Sequence, residues 1–257
     1  YTDGTGSEII SLNAATDTWT TIRPFCVAGE TQPGRPDNVT WALDLKRNRA
    51  LMAPGFYFIS QAPAGGFPAS GPSGCGAKEG WGGYALDFGT KKWSAVDDPA
   101  IFPPPPGGWG GDNGSTYAVV DPVNDELIRV YSGVGLQRMN LATKVWRTTP
   151  YNLAPTRSQT VIDVQGRAIY FLLPFGVDGT GTSPALVKMY LDAPKDGQVE
   201  HIPLPWKFQP FSGDSYLVFD PVNRLVFVPN NISMGGPGMV GLGIYHVDSG
   251  VWEWEDI

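Results

Sequence analysis

The sequence predicts an all-β chain built from repeated four-stranded units, and three observations carry that reading. First, Asp-Pro-Val-Asn occurs at 121–124 and again at 220–223, each time between apolar stretches, in "STYAVVDPVNDELIRVY" and "DSYLVFDPVNRLVFVP". Second, a different hairpin alternates with this one; in three copies an Asp or Asn (Asn13, Asp87, Asn140) precedes a Trp (Trp19, Trp93, Trp146) by six residues. Third, Trp146 and Trp252 lie two units apart and set a period of about 53 residues, in the range of four-stranded β-propeller blades. A β-sandwich also accounts for short strands and turns, but gives no reason for a recurring unit.

The first hairpin kind reads as strand, tight turn, strand. Pro122 and Pro221 fix φ, and Asn124 and Asn223 are expected to take the awkward position that follows. Two relatives keep the layout without the tetrapeptide: "VTWALDLKRNRALMAPGF" around Asp44 and "SQTVIDVQGRAIYFLL" around Asp163. The second kind occurs five times: "EIISLNAATDTWTTI", "GGYALDFGTKKWSAV", "GLQRMNLATKVWRTT", "ALVKMYLDAPKDGQVEHIPL" and "GIYHVDSGVWEWE". The fourth copy lacks its Trp, which should fall near position 199, where Val199 stands. The fifth reads as a shorter turn, from Asp248 to Trp252.

With strands lettered A to D from the propeller axis outward, the chain reads CD and then ABCD four times. This gives one domain over 1–257, with a half-blade at 1–22 and blades at 37–97, 114–149, 156–205 and 214–256. Completion would make it five-bladed. The opening half-blade lacks an A–B hairpin, so residues outside this stretch or another chain are expected to supply one, because an open ring leaves strand edges unpaired.

Trp81-Gly82-Gly83-Tyr84 leading into "ALDFGTKKW" resembles the kelch repeat, with its paired glycines, then Tyr, then a turn and Trp. The likeness spans nearly the whole chain in layout, but the paired glycines are clear only here; Gly241 and Gly243 are an imperfect echo. It implies a propeller of kelch-like blades.

A chain of 257 residues with 42% hydrophobic content can bury a sizeable core. The 18 basic and 25 acidic residues give a net charge of −7 with no Lys/Arg run, which argues against a nucleic-acid partner. Apolar runs such as "AIYFLL" fall far short of a membrane helix, so no membrane insertion is expected.

Antiparallel connectivity sends A–B and C–D turns to one face and B–C and D–A connections to the other. The first set is short, whereas the second contains every long irregular segment: 23–38, 59–82, 98–114, 173–185, 206–214 and 229–241. Such loops are usually functional or disordered. Here they carry Phe25, Phe102 and Phe211 and the binding candidates Phe67, Trp81, Trp109, Phe175, Trp206 and Phe208, which are suited to stacking on a glycan or anchoring a protein. The predicted role is a binding or structural interaction module with a protein or glycan partner.

Cys26 and Cys75 map to neighbouring loops of that face, which predicts a disulfide; two free thiols are the alternative. A disulfide would place the protein outside the cell or on a cell or virion surface. Three glycosylation acceptor patterns, beginning at Asn38, Asn113 and Asn231, agree with that setting.

Catalytic signals are sparse. The two histidines, His201 and His246, read as strand residues, with no metal-ligand spacing. "DGTG" at 3–6 and 178–181 reads as a repeated turn rather than a calcium loop around Asp3 or Asp178. No cofactor and no metal are expected. The rival reading is a secreted carbohydrate-active hydrolase or lyase drawing its carboxylates from Glu30, Glu79, Asp112, Asp178 and Asp214.

Overall fold

In the computed structural model the chain is a β-propeller of antiparallel four-stranded blades. The structure describes residues 8–13, 15–24, 40–53, 84–95, 118–131, 133–151, 159–173, 185–205, 217–230 and 241–256. The chain divides into two compact units, Tyr1–Pro104 and Pro105–Ile257.

The first unit holds a two-stranded sheet, β1 (Glu8–Asn13) and β2 (Thr18–Pro24). It also holds the blade β3 (Thr40–Asp44), β4 (Arg49–Ala53), β5 (Tyr84–Asp87) and β6 (Lys92–Ala95). The second unit holds three blades. They are β7 (Val119–Asp121), β8 (Glu126–Tyr131), β9 (Gly135–Asn140) and β10 (Trp146–Thr149); β11 (Val161–Asp163), β12 (Ala168–Leu173), β13 (Ala185–Tyr190) and β14 (Val199–Pro203); and β15 (Val218–Asp220), β16 (Leu225–Asn230), β17 (Gly241–His246) and β18 (Val251–Asp256). Each blade pairs its strands in chain order. Strand β11 lies against both β7 and β15, so within this unit the first strand of each blade is innermost.

The repeated turn has one geometry. In every blade strand A ends on an aspartate whose carboxylate accepts backbone N–H groups of the turn. Arg47 donates to Asp44 at 3.2 Å, Val123 to Asp121 at 2.9 Å, Gly166 to Asp163 at 2.8 Å, and Val222 to Asp220 at 2.8 Å. Four residues after each aspartate stands a residue in the left-handed region: Asn48 (φ 51°), Asp125 (56°), Arg167 (50°) and Arg224 (54°). The awkward position therefore falls one residue beyond Asn124 and Asn223, not on them, and the asparagines are free to use their amides elsewhere.

The C–D turns follow the same rule. Asn140 Oδ1 accepts from the backbone of Ala142 and Thr143 at 3.0 and 2.8 Å, Asp87 Oδ1 from Thr90 at 2.6 Å, and Asn13 Oδ1 from Ala15 at 3.0 Å. Positive φ falls at Asp17, Lys91, Lys144 and Gly250. The fifth turn is not shortened: His246 closes β17 where Asn140 closes β9, and each accepts a 2.8 Å bond from the residue four positions on, Gly250 or Lys144. Counting from His246 restores the six-residue spacing to Trp252. Register places the tryptophans alike, with Leu12 opposite Trp19, Leu86 opposite Trp93, Met139 opposite Trp146 and Tyr245 opposite Trp252. Val199 stands opposite Met189, at the site where the fourth Trp was expected.

The core of the second unit lies between blades. Strand alternation gives each blade two apolar faces, as burial on both sides requires. One face of β12 and β13 (Ile169, Phe171, Leu173, Val187, Met189) packs on Ile128, Val130 and Leu136 of the blade before it. The other (Ala168, Tyr170, Leu172, Leu186), with Val161 of β11, packs on Leu217, Val226, Val228 and Tyr245 of the blade after it.

Candidate functional site

Among the described residues, the charged side chains concentrate at the short-turn ends of the blades. Asp121 is fully buried, and Arg167 reaches it from the following blade through bonds of 2.9 and 2.6 Å, one to each carboxylate oxygen. The same guanidinium donates to Asp192, in its own blade's C–D turn, at 2.7 and 3.2 Å. Asn124 closes the circuit from the same blade as Asp121, its amide donating to Asp192 at 3.3 Å. The left-handed backbone at Arg167 leads the chain into β12 while its side chain crosses to Asp121 on β7, so the turn geometry sets the clasp.

The next interface repeats the construction. Arg224 donates to the buried carboxylate of Asp163 at 2.6 Å and to Asp248 of its own C–D turn at 2.5 Å. In the first unit Asp44 is also fully buried, but it is held within its own blade by Arg49 at 2.9 Å and Arg47 at 3.3 Å. The position that is Arg in the last two blades is Asn48 there and Asp125 in the second blade.

Farther from the axis, a second ionic group joins the same two blades as the Arg167 clasp. Arg138, fully buried on β9, donates to the Leu191 carbonyl at 2.6 Å and pairs with Asp196. Arg147 forks onto Glu126 at 3.0 and 3.1 Å and lies 3.5 Å from Asp196. The C–D turn between β13 and β14 is longer than the others, and its extra residues deliver Asp192 and Asp196 to the preceding blade. Arg129, buried on the opposite face of β8, donates to Gln137 at 2.7 Å and lies over the Tyr131 ring; burial lowers its guanidinium pKa to about 10.

The electrostatics of Asp121 and Asp192 are dominated by their shared partner Arg167. Burial raises the Asp121 pKa, but the Arg167 hydrogen bonds and charge and the turn N–H groups outweigh it, leaving the group below the usual carboxylate range. Asp192 is lowered first by Arg167. Arg167 itself is raised, above all by its bonds to Asp121 and Asp192. Asp121 and Asp192 are both bound by Arg167, and through it they tie the two blades together. Among the described residues no group of three or more His, Cys, Asp and Glu is placed to hold a metal. His246 lies 3.0 Å from Glu253 on the neighbouring strand, and His201 is exposed on β14.

The binding candidates Phe67, Trp81, Trp109, Phe175, Trp206 and Phe208 lie outside the described residues, as do Cys26, Cys75, Asn38, Asn113 and Asn231. Glu30, Glu79, Asp112, Asp178 and Asp214 do so too. The site that is described was missed from sequence, although one signal was present: Arg167 and Arg224 each follow an aspartate by four residues.

No protein-family model and no curated protein sequence matches the chain. Among solved structures it is similar to an oligogalacturonate lyase in complex with manganese, at 10% identity and a TM-score of 0.46, covering 98% of this chain and 60% of that one. It is also similar to a GH74 enzyme of Niastella koreensis, at 17% identity and a TM-score of 0.46, covering 98% of this chain and 35% of that one. For the oligogalacturonate lyase of Vibrio parahaemolyticus the identity is 9% and the TM-score 0.49, covering 96% of this chain and 59% of that one. The chain thus spans less than two thirds of these proteins.

Proposed function

We propose that the chain is an extracellular kelch-like propeller module that binds a protein or glycan partner through its long-loop face. The observation that supports this most is the division of labour between strand ends. All four A–B turns are four residues long, at 45–48, 122–125, 164–167 and 221–224, and each aspartate before them accepts a backbone N–H of its turn. In the second unit the short-turn ends also carry the ionic ties between blades. Apart from the three-residue turn at 132–134 between β8 and β9, the opposite strand ends feed the long connections, where chain length is available for recognition.

The aromatic candidates carried by those connections in the sequence are Phe67, Trp81, Trp109, Phe175, Trp206 and Phe208. Alanine at Trp81 and Trp109 tests the assignment, using a panel of soluble polysaccharides and a proteomic pull-down with the intact protein. A ligand captured by the parent and lost by about 1–3 kcal/mol per aromatic supports it. A ligand bound equally by both variants places recognition elsewhere. A linked Cys26–Cys75 peptide in a non-reducing digest supports the extracellular setting, and two free thiols overturn it.

A further inference from the structure

Two interfaces in the second unit share one construction, and the last blade presents half of a third. On the leading side of each junction stand a strand-A aspartate and an apolar face; on the following side stands an arginine four residues after its own aspartate. Arg167 meets Asp121 and Arg224 meets Asp163 in this way. In the middle blade the covered face is Val161 at 7% exposure, Ala168 and Tyr170 at 0% and Leu172 at 2%. The residues in register on the last blade are Val218 at 57%, with Leu225, Phe227 and Pro229 each partly exposed. They alternate with Val226 and Val228, which pack on the middle blade.

The polar groups tell the same story. Asp121 and Asp163 are buried under arginine, whereas Asp220 is partly exposed and its second oxygen is occupied by Asn223 Nδ2 at 2.7 Å. In the earlier copy of the tetrapeptide the equivalent amide, on Asn124, instead reaches the following blade at Asp192. The repeated Asp-Pro-Val-Asn turn is thus one connector in two states, engaged at 121–124 and folded back on itself at 220–223.

We propose that the face of β15–β18 turned away from β11–β14 is an interface for one further blade of the same repeat. Its A–B turn carries an arginine four residues after the strand-A aspartate and delivers that guanidinium to Asp220, displacing Asn223. Apolar Val218, Leu225, Phe227 and Pro229 form the centre of the contact, and acidic Glu253 and Glu255 on β18 favour a cationic rim on the partner. A second copy of the chain does not fit, because Arg167 and Arg224 are engaged and the other two positions hold Asn48 and Asp125.

The test uses the full chain carrying Val218→Cys, alone and with residues 206–257 repeated once after Ile257, read by the rate of maleimide labelling at position 218. Covalent linkage supplies the high local concentration a lone blade lacks. The proposal expects labelling to slow by about tenfold or more in the extended chain. It further expects that protection to be lost when the arginine of the added copy is changed to Met, or when Asp220→Asn is introduced. Equal labelling with and without the added blade overturns it, as does protection indifferent to both changes. Should the extended chain fail to fold, the same added blade joined after Ile257 through a longer Gly/Ser linker gives the same comparison against its version with the added arginine changed to Met. Protection that grows with protein concentration in the unextended chain alone would assign the face to a second copy and overturn the proposal.

Discussion

Arg167, the last residue of the turn before β12, grips both oxygens of Asp121 on the preceding blade, at 2.9 and 2.6 Å, with the carboxylate fully buried. Arg167→Met should therefore leave a buried carboxylate without its cation and cost about 3 kcal/mol in urea unfolding. Arg224→Met should cost a similar amount through Asp163, since the geometry is repeated. A loss below about 0.5 kcal/mol at either would mean the bridge behaves as an exposed pair.

The sign of the pH dependence follows from the lowered groups. Asp121 and Asp192 sit below the usual carboxylate range in the folded state. Their contribution is fully present above the unfolded value of about 3.9 and is lost as pH falls through the lower folded values. In Arg167→Met, Asp121 loses its cation and gains from protonation instead. The stability gap between parent and variant should be widest near neutrality and narrow below about pH 4, as read by denaturant midpoints across pH.

Tyr170 lies at the centre of the apolar contact between the last two blades, stacked on Phe219 at 6.5 Å, and its hydroxyl has no hydrogen-bond partner among the described residues. Burial, reinforced by the nearby Asp163 charge, raises its pKa. Tyr170→Phe removes a buried donor that gains nothing from folding, so thermal unfolding should show unchanged stability or a gain of up to about 1 kcal/mol.

Two strand-C glycines are fixed by close approach. At Gly135, φ is 114° and a Cβ would meet the backbone of Thr149 and Tyr151; at Gly241 a Cβ would run into the Trp254 indole. Each Gly→Ala change should destabilise by about 1–3 kcal/mol. Gly133, also at positive φ (70°) but with open space where its Cβ would point, should cost less.

How much of this was legible in the sequence depends on whether the determinant is local. The Asp or Asn that closes a strand and the Trp six residues on are set by one turn, so the hairpins, and even the absent Trp at Val199, could be read directly. The fifth turn was misread because His246 occupies the place of Asn140 without offering its amide oxygen, which moved the count to Asp248. The blade-to-blade clasps were not read, since Asp121 and Arg167 lie in different repeats and only packing brings them together. Asp192 and Asp196 were hidden for the same reason, in a turn whose extra length has no local cause. The aromatic anchors rest on loop length and composition alone, which name a face but not a geometry.

In the second unit the inner-turn carboxylates Asp121 and Asp163 join neighbouring blades through Arg167 and Arg224. A double-mutant cycle on Asp121→Asn and Arg167→Met, read by urea unfolding at neutral pH, tests it most directly. The expected coupling is about 2 kcal/mol or more, with the double variant more stable than the sum of its parts implies. Additivity within about 0.5 kcal/mol would contradict it, because two residues that do not hold each other cannot be what holds the blades.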